Sequence, residues 1–229
     1  AEDPFDGEFE MKGRIQTDPN NNWAIHASVF QHKNEWYMIW SGWQTRRIET
    51  ETQCIYIAKM KNPWTLASER VLISMPEHEW ERQWISPDGS KTSYPIYVNE
   101  APQYYHSKNK DKVLIFYSAS GNWTPYYATG MLSADADSDL LDPASWSKAE
   151  APLFMQNTED SVFAAGNLLF VPSADGKETY YIYHARNIPN EAPGALDSRS
   201  PRMQKLEWDD NGLPLLGKPL PIEKKDKQK

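Results

Sequence analysis

Hydrophobic positions in this chain fall in short alternating or continuous runs, cut at close intervals by Gly, Pro, Asn and Asp. A 3.6-residue period is almost absent, so the pattern predicts strands joined by turns. The first run is Trp23-Ala24-Ile25-His26-Ala27-Ser28-Val29-Phe30, followed by a turn at Lys33-Asn34 and an aromatic strand from Glu35 to Gly42. A third strand is expected from Gln53 to Met60, and Asn62-Pro63-Trp64-Thr65 closes the unit. The same order then returns. Asn99-Glu100-Ala101-Pro102-Gln103-Tyr104-Tyr105 precedes a turn at Lys108 to Asp111, strands from Lys112 to Ala119 and Tyr126 to Ser133, and Asp142-Pro143-Ala144-Ser145-Trp146. A third copy runs from Phe163 to Phe170, turns at Ala174-Asp175-Gly176-Lys177, continues from Glu178 to Ala185, and has Arg202 to Trp208 as its outer strand.

Repeats of this kind mark a β-propeller, in which the first strand of each unit lines a central axis. The fold class is therefore all-β. Three complete blades are expected, preceded by residues 1–21, whose pattern reads as the outer strand of a unit beginning upstream. Residues 1–220 form a single domain in this reading, and 221–229, with its run of Lys, is a charged, solvated tail.

Charge narrows the choice of partner. A net charge of -8 argues against nucleic acid, which requires a basic face, and fits a neutral substrate or small molecule. No apolar run approaches the roughly 18 residues of a membrane span. Ten Trp and twelve Tyr suit sheets with stacking surfaces, a composition common to sugar-binding sites and to ordinary β cores. The single Cys54 excludes an intrachain disulfide and, within Gln53-Cys54-Ile55-Tyr56-Ile57-Ala58, reads as an inert buried thiol. No leader is visible at Ala1, which leaves a cytoplasmic or an already processed chain.

Particular residues carry a resemblance. Trp23-Ala24-Ile25 with Ala27 and Val29-Phe30, Trp40-Ser41-Gly42, Ile55-Tyr56-Ile57-Ala58, Asn99-Glu100 with Pro102, Tyr117-Ser118-Ala119-Ser120, and Tyr183-His184-Ala185 with Arg199 resemble glycoside hydrolase family 43. The nearest branch is the fungal and bacterial α-L-arabinofuranosidases. The resemblance implies a five-bladed propeller and an inverting glycosidase with three carboxyl groups on inner strands: a base, a tuning Asp and a general acid. Inversion needs that division, because water attacks the face opposite the departing group while the acid holds a proton.

Carried over residue by residue, Glu100 stands at the general acid; its bland alternative is a Glu capping a strand end or pairing with Arg. His26 stands where the family has its tuning Asp. A protonated imidazole there would make the acid a poor donor, whereas a neutral one could hydrogen-bond it. Arg199 matches the Arg that reaches the pocket and steadies a carboxylate, in preference to Arg202. Trp43 and Trp123 are candidates to stack on sugar rings, or to pack on the surface. Asn167 replaces the family's axial His, which helps hold calcium through water; one Asn carbonyl is not a site, so no metal is assigned. The base has no counterpart, its segment falling upstream of Ala1, and Asp3 precedes the outer-strand pattern. The resemblance thus implies a monomeric, secreted hydrolase of arabinose- or xylose-containing polysaccharides, impaired in this chain. The alternative is a non-catalytic carbohydrate-binding relative.

Overall fold

In a computed structural model, which describes residues 3, 5–45, 51–89, 95–191 and 198–222, the alternating runs become strands of three antiparallel meanders. The first contains β1 (Ala24–His32), β2 (Glu35–Trp43) and β3 (Glu51–Asn62), with β4 (Thr65–Leu66) and β5 (Val71–Ser74) paired to β3. The second contains β6 (Ile96–His106), β7 (Lys112–Ala119), β8 (Ala128–Asp135) and β9 (Ser147–Lys148). β10 (Phe163–Pro172), β11 (Thr179–Arg186) and β12 (Ser200–Lys205) make the third, and β13 (Glu207–Trp208) with β14 (Pro214–Leu215) a separate hairpin. Among the described residues helix is limited to single 3-10 turns at Glu79–Glu81 and Pro143–Ser145, and no helix is long and apolar enough to cross a membrane.

Local chemistry sets the turns. Lys33 and Asn34 both adopt left-handed backbone, φ 48° and 62°, the twist that a two-residue hairpin between right-twisted strands requires. Gly176, φ 70°, does the same work between β10 and β11.

The middle strand β7 shows why a continuous apolar run can be a strand. Val113, Ile115 and Tyr117 point to one side and pack with Phe30, Tyr37, Ile39, Ile55 and Ile57 of the first meander. Leu114 and Phe116 point to the other and pack with Val162, Leu168, Tyr181 and Tyr183 of the third. Both faces are covered, so both carry apolar residues. β3 and β6 run parallel over Glu51–Gln53 and Ile96–Val98, which fuses the first two meanders into one nine-stranded sheet.

Two expectations are corrected. Residues 5–22 form no strand, and Phe5, Phe9 and Met11 are 97%, 75% and 89% exposed. A strand needs a partner ladder, and none of the described strands pairs with this stretch. The stretch from Arg202 to Trp208, read as one outer strand of the third meander, breaks at the buried Leu206 into β12 and β13, and only β12 pairs with β11 as the third member of its sheet. Residues 223–229 of the expected tail lie outside the described residues.

Candidate active site

The first strands of the three meanders slip register at one level. The ladder breaks after Ile25, which faces Ser41; after Glu100, which faces Ser118; and after Gly166, which faces His184. The following residues, His26, Ala101 and Asn167, have φ values of 52°, 50° and 58°. Each inner strand therefore carries a bulge with a left-handed, non-glycine residue, a conformation that costs about 1–3 kcal/mol and persists where its surroundings fix it. Register makes Glu100 the counterpart of Ile25 and Gly166, and places His26 and Asn167 one step further, level with Ala101.

Glu100 is 8% exposed. Its Oε1 accepts from the Tyr127 hydroxyl at 2.7 Å, and its Oε2 lies 3.8 Å from His26 Nδ1. Complete burial, followed by the charge of Glu100, pushes the Tyr127 phenol well above its usual range, so it is a fixed donor. The ring of Tyr127 is clamped between neighbours: it stacks on His184 at 5.5 Å, and a Cβ on Gly166 would come within 2.6 Å of it. Gly166 is thus glycine because an aromatic ring occupies the space of its side chain. Sequence reading missed Tyr127; the only signal was its place directly before β8, whose first residue Ala128 pairs with Ala119 at the end of β7.

The structure brings Glu100 and His26 together, and the charge of Arg199 reaches Tyr127. Arg199, Asn167, Gln103 and His184 line a cavity of about 560 Å³. The Asn167 N–H donates to Ser118 Oγ at 2.8 Å. Calcium does not fit these residues: a hard cation asks for several oxygen ligands, carboxylates above all, whereas the polar side chains of the wall are two amides, two hydroxyls, an imidazole and a guanidinium, with no carboxylate. Arg202 is a clamp, its guanidinium donating to the carbonyl of Leu220 and to Asn187 Oδ1, both at 2.6 Å.

Packing fixes both candidate tryptophans. Trp43 stacks on Trp23 at 4.9 Å. Trp123 lies over Gly121 and donates from its indole to the Trp84 carbonyl at 2.8 Å. Its loop is held by the buried Arg186, unnoticed in the sequence, which donates to the carbonyls of Asn122 and Thr124 at 3.0 and 2.9 Å.

Comparison with known proteins places the chain as a whole. Residues 1–214 match the sequence profile described as "Glycosyl hydrolases family 43". The chain belongs to this family. It is 32% identical over 223 residues to alpha-L-arabinofuranosidase B of Pyricularia oryzae, which covers 96% of the chain and 43% of that relative. It is 33% identical over 222 residues to an extracellular exo-alpha-(1->5)-L-arabinofuranosidase of Streptomyces avermitilis, with the same coverage. The chain thus spans less than half the length of these family-43 relatives. Among solved structures, the alpha-L-arabinofuranosidase from Lactobacillus brevis superposes with a TM-score of 0.79 at 35% identity, over 93% of this chain and 61% of that one. A thermostable family-43 glycoside hydrolase, 21% identical with a TM-score of 0.64, shares the fold.

Proposed function

We propose that the chain is the acid-bearing part of an inverting glycosidase acting on arabinose-containing polysaccharides or oligosaccharides, with Glu100 as general acid. One observation carries the reading: Glu100 is buried, tied through Oε1 to a phenol that cannot readily ionise, with Oε2 left on the side of His26. A general acid must present one oxygen reproducibly to the leaving group. Tyr127 fixes the carboxyl plane, so Oε2 is the oxygen that holds and delivers the proton. Arg199 steadies anionic charge in the pocket, and His26 occupies the place from which the family's tuning Asp acts on the acid. Trp43 and Trp123, part-buried aromatics, are taken in this reading as the residues whose remaining faces would meet sugar.

The same reading takes residues 1–220 as one domain of the five-bladed propeller type, a monomer with a carbohydrate as its partner. The Streptomyces avermitilis relative is an enzyme named extracellular, which supports an extracellular setting. Assay of the purified chain on an aryl α-L-arabinofuranoside tests the activity. Turnover abolished by Glu100→Gln supports the assignment, and turnover untouched by that change sinks it.

A second reading rests on His26. With an imidazole 3.8 Å from the acid, the site is that of a carbohydrate-binding relative without turnover. Calorimetry with arabino- and xylo-oligosaccharides separates the two, since binding without hydrolysis favours the second, and gain of turnover in His26→Asp favours the first.

A further inference from the structure

Behind Glu100 lies a second carboxylate that the proposed chemistry does not use. Glu81, on the 3-10 turn after β5, is fully buried. Its Oε2 accepts from the N–H groups of Glu77 and His78 at 2.8 and 2.9 Å. Its Oε1 accepts from Tyr117 Oη at 2.8 Å and Asn99 Nδ2 at 2.9 Å, and Lys148 Nζ lies 3.1 Å away.

Asn99 immediately precedes Glu100, and the rest of its polar atoms are also engaged. Ser74 Oγ donates to Asn99 Oδ1 at 2.7 Å, Ser41 Oγ donates to the Asn99 carbonyl at 2.9 Å, and Nδ2 makes a second bond to the Val98 carbonyl at 3.0 Å. Successive strand residues face opposite ways, so Asn99 reaches Glu81 on one side of β6 while Glu100 reaches Tyr127 on the other. The ladder cannot supply this fixation alone. Pairing with β7 slips directly after Glu100, Ala101 is left-handed, and Pro102 has no N–H to give.

Stability alone does not account for the network. A buried ion pair such as Glu81–Lys148 is frequently no better for stability than apolar residues of the same volume. What this pair does is hold an amide that has no freedom left, next to a residue that must stand in one place. We propose that Glu81 is a positioning residue for Glu100, acting through Asn99 to fix where β6 presents the acid.

The proposal rests on the glycosidase reading, and its test has a kinetic and a structural arm. Glu81→Gln, Asn99→Ala and the double variant are assayed on an aryl α-L-arabinofuranoside, and crystal structures of the unaltered chain and both single variants are determined. Each single change is expected to lower kcat about tenfold while leaving KM within about twofold. The double variant should be no worse than the worse single, because both break one chain of contacts. In the variant structures the 2.7 Å bond between Tyr127 and Glu100 should be lost or lengthened. Unchanged kcat, additive losses, or an intact Tyr127–Glu100 bond would overturn the proposal, even if the variants melt at lower temperature. Should Glu81→Gln not fold, Ser74→Ala removes a single bond to Asn99 and is expected to show a smaller loss of kcat at constant KM; no loss counts against the idea. If the unaltered chain has no turnover, the glycosidase reading fails by itself, and the Tyr127–Glu100 distance in the variant structures still decides the proposal.

Discussion

Tyr127 and Glu100 are joined by a 2.7 Å hydrogen bond in which the phenol is locked as donor, so one carboxyl oxygen is spoken for and the other is presented. Tyr127→Phe keeps the ring on Gly166 and removes the hydroxyl's bonds to Glu100 and to Ser118. Turnover should fall about tenfold, the low end for a misplaced catalytic group. Stability should fall by about 1–3 kcal/mol, because a buried acceptor loses its partner. Kinetics with a denaturant melt check both; unchanged turnover would mean that Glu100 is held by other means.

Gly166→Ala probes the same ring from the opposite side. The added methyl would meet Tyr127 Cε1 and Cδ1 at 2.6 and 2.7 Å, with Ser118 Oγ at 3.1 Å. A packed ring cannot yield cheaply, and overpacking costs about 1–3 kcal/mol. The expected result is a lower melting temperature together with weakened turnover, read on the same assay.

Glu81 makes stability depend on pH. Burial alone would raise its carboxyl, but the N–H groups of His78 and Glu77, then Lys148 and Tyr117, outweigh that and hold it below its ordinary 4.5. A depressed folded-state value stabilises the ionised form, so this contribution is complete above about pH 4.5 and is lost as pH falls through the lower folded value. Denaturant midpoints across acid pH should drop less steeply in Glu81→Gln. Lys148→Met, which leaves the carboxylate buried without its cation, should cost about 3–5 kcal/mol at neutral pH.

Cys54 should be silent in the native state. Burial pushes its thiol up to about 12, against the weaker pull of Lys148 and Arg70. Iodoacetamide at pH 8 is expected to leave the folded chain unmodified and to alkylate it in denaturant; labelling at native conditions would show that β3 opens readily.

Sequence pattern carried the three meanders because β1, β2, β6, β7, β10 and β11 are runs whose faces are set by period two, closed by turns such as Lys33-Asn34 with their own chemistry. It failed at residues 5–22, where Phe5, Phe9 and Met11 fall at odd positions as a strand face would but join no ladder and stay exposed. Glu100 stood out as a carboxylate in an apolar strand. Tyr127 did not, since a tyrosine before a strand looks like any core residue until the fold lays it across Gly166. Glu81 was equally hidden: in Glu77-His78-Glu79-Trp80-Glu81 three glutamates look alike, and only the tight turn decides which of them points inward.

The parallel joint between β3 and β6 has a bearing on how the molecule comes apart. It welds the first two meanders by backbone bonds, whereas among the described residues no ladder links β10, β11 and β12 to them. Partial opening should therefore shed the third meander first. Glu100, Glu81 and Tyr127 belong to the welded portion, while Gly166, His184 and Arg199 belong to the part that peels away. The floor of the site is anchored and one wall is not, so amide exchange should run faster in β10 to β12 than around Asn99, and the acid should outlast the wall that His184 and Arg199 form.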